Sequence, residues 1–287
     1  MLVYVFPGQG SQKKGMGQGL FDTVPEYAGL EPQVDQLLGY SMRQLCLEDA
    51  QGLLKDTRYT QPSLYIVNAL HCFKEQASGE QPQALAGHSF GEYNALLTAG
   101  CFDLLTGLRM VQKRGELMGR ASGGGMAAVI GLEATRIEAV LSEQQLGTLD
   151  VANYNSPAQI VISGPTPDIA RAKAALEAAG ARMVMPLQVS AAFHSRYMEP
   201  AAAEYAEFLA QFHFEAPRLP VIANVTAQPY PTENADAAIK SLLVQQLTQS
   251  VRWTQSVRYL LEQGATTFKE VGPGNVLTKL IQQIKAA

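Results

Sequence analysis

The stretch Gly87-His88-Ser89-Phe90-Gly91 narrows the folds open to this chain more than any other. An apolar run (Ala84, Leu85, Ala86) leads into it, and a helix-prone run from Tyr93 to Leu97 leads out. G-x-S-x-G between a strand and a helix is the pattern of a nucleophile elbow, a tight turn that lifts a serine hydroxyl to the edge of a sheet. The glycines have a steric reason: side chains two residues before or after Ser89 would collide with neighbouring backbone. The free N–H groups of the helix start then face whatever the hydroxyl attacks. In a chain with 25 glycines the bare pattern can arise by chance, so the flanking strand and helix are what give it weight.

The 287 residues, 47% hydrophobic and 17% charged, are enough for one large packed domain or one domain with a substantial insert. A net charge of −4 argues against a partner that is nucleic acid or an anionic membrane. Cys46, Cys72 and Cys101 are widely spaced, with no C-x-x-C, so neither a disulfide framework nor a zinc site is indicated. That usage suits a reducing compartment. The N-terminal residues show no basic stretch ahead of their apolar run, no signal peptide is expected, and no segment reaches the length of a membrane span. Cytoplasm is the expected location, with no metal and no tightly held cofactor.

Leu2–Phe6 reads as a short buried strand running into the turn-rich loop Pro7-Gly8-Gln9-Gly10-Ser11-Gln12. Open α/β sheets place ligands at that edge. The loop lacks the endings and spacing of phosphate-cradling motifs, which leaves Gln9 as a polar residue near the expected site. Residues 13 to 80 read as mainly helical. Thr60-Gln61-Pro62 opens a long helix, with Pro62 near its first turn. Another helix runs from an N-cap at Asp103 to Gly119. Ser122–Gly125 reads as a linker. After it come a strand (126–132), a helix (135–144), strands at 150–154 and 159–163, a helix (168–179) and a strand (183–189). This βαββαβ order matches the split βαβ, ferredoxin-like motif and reads as an inserted subdomain. Helices at 201–212, 237–247 and 254–263, strands near 221–224 and 267–270, and a last helix complete the chain.

Two residues stand out beside Ser89. Arg114 has Met110, Val111, Leu117 and Met118 as its helical neighbours, so it projects from the face that packs inward while Lys113 and Glu116 take the solvent side. A buried guanidinium needs a partner. Helix geometry leaves two open: a structural ion pair elsewhere in the chain, or a substrate carboxylate gripped by the planar fork. A serine nucleophile also needs a base. Of the four histidines, His88 is adjacent to Ser89 on a tight turn and points elsewhere. His71 and His213 fall in amphipathic helical runs. His194 lies where the inserted subdomain rejoins the main body and is the leading candidate.

Together these segments resemble the malonyl-CoA:acyl-carrier-protein transacylase family, closest to the discrete acyltransferases that serve polyketide synthases in trans. The resemblance covers nearly the whole chain. It rests on Phe6–Gln12, Thr60-Gln61-Pro62, Gly87–Tyr93, Gln112-Lys113-Arg114-Gly115, Asn153–Pro157, Ala192-Phe193-His194-Ser195 and Glu270–Gly274, in the family's order. It implies an α/β fold: an α/β-hydrolase-like large subdomain of residues 1–122 and 195–287, and an inserted ferredoxin-like (βαββαβ) subdomain of residues 123–194. The implied activity is transfer of a malonyl group from malonyl-CoA to the phosphopantetheine thiol of an acyl carrier protein, such as the carrier domains of a polyketide synthase. Ser89 would be acylated and His194 would serve as its base, oriented by the backbone carbonyl of Gln246. The N–H groups of Gln9 and Phe90 would form the oxyanion hole. Arg114 would clamp the malonyl carboxylate in a pocket lined by Gln61. Phe193 resembles the malonyl-type signature and would fill the space an α-methyl needs.

Two other enzymes share the implied chemistry: a housekeeping fatty-acid malonyl transacylase, and a proofreading acyl hydrolase in which water resolves the acyl-enzyme. Retention of Arg114 argues against the hydrolase, which has no need of a carboxylate clamp. A non-enzymatic docking scaffold is disfavoured by intact Ser89, His194 and Arg114.

Overall fold

The computed structural model describes residues 1–189 and 191–287. β1 (Leu2–Phe6) is followed by four short helices, α1 (Leu20–Thr23), α2 (Pro25–Ala28), α3 (Glu31–Leu38) and α4 (Met42–Glu48), and by the long α5 (Thr57–Ala77). Then come β2 (Ala84–Gly87), α6 (Gly91–Thr98) and α7 (Leu104–Arg120). The central segment holds β3 (Gly124–Ile130), α8 (Ala134–Glu143), β4 (Asp150–Ser156), β5 (Gln159–Pro165), α9 (Thr166–Ala178) and β6 (Met183–Pro186). The chain finishes with α10 (Glu199–Leu209), β7 (Val221–Ile222), α11 (Ala235–Thr248), α12 (Trp253–Glu262), β8 (Thr267–Glu270) and α13 (Val276–Lys285).

Two four-stranded sheets organise these elements. The first, in order β7-β2-β1-β8, is parallel throughout. Its strands are short and apolar because both faces are covered. Tyr4, Phe6 and Leu85 point into the cluster formed with α5, α6 and α7, whereas Val3, Val5, Ala84 and Ala86 meet Val257 and Leu260 of α12 and Leu277 and Ile281 of α13. The second sheet, in order β4-β5-β3-β6, is antiparallel throughout and has the ferredoxin-like arrangement. Ala127 and Val129 face Ile137, Val140, Ile169 and Leu176 of its own helices, while Met126 and Ala128 turn to the main core. A parallel bridge, Asn153 to Val251, ties the small sheet to the large body.

Three local readings are corrected by the structure. Pro62 is not at the start of its helix: α5 begins at Thr57, capped by the Asp56 carboxylate accepting from Arg58 N at 3.0 Å, and Pro62 sits in the second turn. Gly124 and Gly125 are not linker but the first residues of β3, paired with Pro165 and Gly164. A side chain at Gly124 would lie 2.7 Å from the backbone nitrogen of Ala192, so the glycine lets the His194 segment lie against the strand. His213 lies beyond α10 in an exposed loop, 3.4 Å from Asp236, and not in a helix.

The elbow depends on backbone crossing backbone. A methyl carbon on Gly87 would fall 2.0 Å from the carbonyl carbon of Gly91, and one on Gly91 would fall 2.3 Å from the carbonyl oxygen of Phe6. Gly8 likewise approaches the His88 carbonyl, at 2.5 Å from where its side chain would begin. The exit of β1, which carries Gln9, is therefore pressed against the turn that carries Ser89. Gly87→Ala should lower stability by about 3 kcal/mol, since the clash is with backbone that cannot rotate away. Gly147→Ala, whose added carbon meets nothing within 4 Å, should change it by less than about 0.5 kcal/mol. Urea unfolding of both variants measures the contrast.

Candidate active site

Ser89 sits at the tip of the turn between β2 and α6 with φ of 52°, a left-handed conformation that non-glycine residues adopt at a cost. Asn224, just past β7, holds the turn in place. Its Oδ1 accepts from Ser89 N at 2.8 Å, and its Nδ2 donates to Gly87 O at 2.6 Å. The structure brings His194 to this turn, with Nε2 2.9 Å from Ser89 Oγ, although 105 residues separate the two in sequence. His194 is itself at φ 54°.

The other ring nitrogen, Nδ1, lies 2.7 Å from the backbone carbonyl of Gln246 in α11. A carbonyl only accepts, so Nδ1 carries the proton and Nε2 presents its lone pair to the serine hydroxyl. Burial, and then the nearby charge of Arg114, push the imidazolium down to about 3, so the ring is a free base at neutral pH.

Arg114, in α7, is completely buried. Its helical neighbours Met110, Val111, Leu117 and Met118 are buried with it, and Lys113 and Glu116 pair loosely at the surface. Nη1 donates to Gln61 Oε1 at 2.9 Å, and Nη2 donates to Gln246 Oε1 at 2.9 Å and to Ser89 Oγ at 3.2 Å. Nε has no partner among the described residues. No carboxylate of those residues comes within 4.0 Å of the guanidinium. The structural ion pair left open by helix geometry is therefore absent there, and the cation is surrounded by neutral oxygens.

The remaining residues singled out in the sequence lie as follows. Gln61 is buried in α5, with Nε2 3.4 Å from Met118 Sδ. Phe193 is buried in the main core immediately before His194. Phe90 has a buried ring, and neither its N–H nor that of Gln9 donates to a backbone or side-chain acceptor among the described residues. His88 is bonded at 2.7 Å to Asn155 and packs edge-on against Trp253, away from the serine. A cleft of about 690 Å3 between the two sheets' subdomains opens on His194, with Asp150, Arg196, Gln249 and Arg252 on its walls.

Sequence reasoning missed three groups. The Gln246 side chain, besides meeting Arg114, donates from Nε2 to Ser89 O at 3.1 Å and to Glu92 Oε2 at 2.5 Å. Glu92 is buried at the start of α6, where it also accepts from Asn224 N at 3.2 Å and from the Tyr230 hydroxyl. Burial pushes its carboxyl up to about 7, against the opposing pull of those donors and of Arg114. A signal for Glu92 existed: α6 has no polar face, so a carboxylate on it has nowhere to go but inward. Asn224 had none, since an asparagine two residues past a two-residue strand resembles any turn residue.

A strained serine at the carboxyl edge of a parallel sheet, with an imidazole on its hydroxyl, is the architecture of an acyl-transferring enzyme. The acyl transferase domain family matches residues 3–286, and the chain belongs to that family. It is 52% identical over 287 residues to the polyketide biosynthesis malonyl CoA-acyl carrier protein transacylase BaeC of Bacillus velezensis, covering 99% of this chain and 97% of that protein. The malonyl CoA-acyl carrier protein transacylase of Escherichia coli is 40% identical over 98% of this chain and 92% of its own. Among solved structures, the malonyl CoA-acyl carrier protein transacylase of Burkholderia pseudomallei superposes with a TM-score of 0.93 at 46% identity, covering 100% of this chain and 98% of that one. No helix among the described residues is long and apolar enough to cross a membrane.

The His194 ring should remain neutral, protonated on Nδ1, at pH 5.5. Long-range 1H–15N correlation spectra, assigned by difference against His194→Ala, would detect a protonation midpoint near the ordinary 6.5 if burial did not depress it. Because the folded ring resists a proton that the unfolded ring accepts, His194 also makes the protein less stable as pH falls from about 6.5 toward 3.

Proposed function

We propose that the protein transfers a malonyl group from malonyl-CoA to the phosphopantetheine thiol of an acyl carrier protein through an acyl-serine intermediate, and that its carriers belong to a polyketide synthase. The observation that carries this reading is Arg114: a fully buried cation, 3.2 Å from Ser89 Oγ, whose contacts are all with neutral oxygens. In a malonyl thioester the free carboxylate and the reacting carbonyl are joined through one methylene, two bonds of about 1.5 Å each. A receptor for the acid end must therefore lie beside the nucleophile, and Arg114 does. The higher identity to the polyketide relative than to the Escherichia coli enzyme supports the choice of pathway over fatty-acid synthesis.

In the first half-reaction Ser89 Oγ gives its proton to His194 Nε2 and attacks the thioester carbonyl. The Nδ1–H bond to Gln246 O stabilises the imidazolium as it forms. The N–H groups of Gln9 and Phe90, free of other acceptors, receive the developing oxyanion; removing one such donor typically costs about 2.7–4 kcal/mol of barrier. Collapse of the tetrahedral intermediate expels coenzyme A, which takes the proton back from His194 as its thiol. In the second half-reaction the carrier's pantetheine thiol reaches the acyl-serine through the cleft, loses its proton to His194 and attacks the ester carbonyl; the bond to Ser89 Oγ then breaks, Oγ recovers the proton from His194, and the malonyl thioester leaves. Gln61 steadies Arg114, and Phe193 restricts the space beside the methylene, a restriction worth about 1–3 kcal/mol for a single methyl. The small sheet's own cluster with its two helices, around Val129, Ile162 and Leu176, supports dividing the chain into residues 1–122 with 195–287 and an inserted unit of 123–194. Three buried free thiols suit a cytoplasmic setting.

Arg114→Ala should lower kcat/KM for malonyl-CoA by about 100-fold, as expected when one partner of a buried charge pair is removed, while acetyl loading is kept or rises. Intact-mass measurement of the acyl-enzyme after brief exposure to a panel of acyl-CoAs reads both effects. An unaltered malonyl preference in this variant would sink the reading.

A further inference from the structure

We propose that Glu92 is a specificity-determining positioning residue: it fixes the Gln246 carboxamide with its oxygen toward Arg114, and so keeps the guanidinium aimed at the free carboxylate of the acyl group beside Ser89. The proposal rests on the reading of Arg114 as the carboxylate receptor. A glutamine amide presents an oxygen and an NH2 of nearly equal shape, and only its neighbours decide which faces where. Here the decision is one-sided. Gln246 Nε2 meets Ser89 O, which can only accept, and Glu92 Oε2, which the Asn224 N–H also holds as an acceptor, while Oε1 meets Arg114, which can only donate. Turning the amide over would set oxygen against oxygen on one side and NH2 against guanidinium on the other.

Glu92 is itself held so that it cannot replace the amide. The Tyr230 hydroxyl takes Oε1, and Asn224 N and Gln246 Nε2 take Oε2. Its place in the first turn of α6 favours the negative charge further. The carboxylate is near enough for each charge to act on the other, yet the two groups touch only through the amide. A direct ion pair would occupy the fork that the substrate needs. An amide spacer solvates the cation with a neutral oxygen and leaves the fork open.

Glu92→Met tests this, because it keeps the length of the side chain but removes both oxygens, including the acceptor that orients Gln246. Initial rates of Ser89 acylation by malonyl-CoA and acetyl-CoA give the ratio of the two kcat/KM values. That ratio should fall at least tenfold, chiefly through a raised KM for malonyl-CoA. A role confined to holding the elbow would depress both substrates alike, and that result, or an unchanged ratio, overturns the proposal. Gln246→Leu provides a second test that does not depend on how Glu92→Met folds. It keeps the backbone carbonyl used by His194 and removes the amide, so it should give a comparable fall in the ratio, and the double variant should add nothing further. An unchanged ratio in Gln246→Leu also overturns the proposal. If Arg114→Ala itself retains malonyl preference, the receptor reading fails. If Arg114→Ala loses it while Glu92→Met keeps it, only the role of Glu92 fails.

Discussion

A positive charge held out of water without a negative one in contact is the constraint around which this molecule is arranged. Taking a guanidinium from solvent into a protein interior costs several kcal/mol even after relaxation. Here the cost is offset by dipoles: carbonyl oxygens from Gln61 on α5 and Gln246 on α11, and the hydroxyl of Ser89. Each of these acceptors comes from a different part of the chain, so the packing of α5, α7 and α11 about the elbow and the solvation of Arg114 are one problem. The described residues leave the arrangement short of negative charge.

The same region stores backbone strain. Both members of the hydroxyl–imidazole pair have positive φ, at a cost of order 1–3 kcal/mol each. The surrounding structure over-determines them. Gly87 and Gly91 let two backbone segments touch, Asn224 bonds both sides of the turn, and the small sheet presses the His194 segment from behind through Gly124. The inserted subdomain therefore positions the His194 imidazole as well as forming a wall of the cleft.

Polar groups at the site are also shared, so that single residues serve two purposes. Gln246 orients the imidazole through its backbone and the guanidinium through its side chain. Asn224 fixes the serine turn through its side chain and donates to Glu92 through its backbone. Such sharing makes the imidazole and the buried guanidinium mechanically dependent on one another, and it explains why so few side chains suffice to hold both.

What the sequence determined by itself was whatever depends on a few residues in a row. The elbow follows from glycine spacing, the buried strand from an unbroken apolar run, and the inward face of Arg114 from helical periodicity over eight residues or so. The family resemblance extended that reach to His194 and to the Gln246 carbonyl. Even locally there were limits. Pro62 reads as a helix start because proline is tolerated there, but a stronger cap at Asp56 moved the start upstream. Gly124 and Gly125 read as a linker, yet both pair within a strand, and at Gly124 the neighbouring segment leaves no room for a side chain. The tertiary structure alone decided the network of Glu92, Asn224, Tyr230 and the Gln246 side chain. Its hydrogen bonds join residues 132 to 157 positions apart. Periodicity and sterics act between near neighbours and leave a trace in the sequence. A hydrogen bond between distant side chains depends on where whole helices come to rest, and nothing local records it.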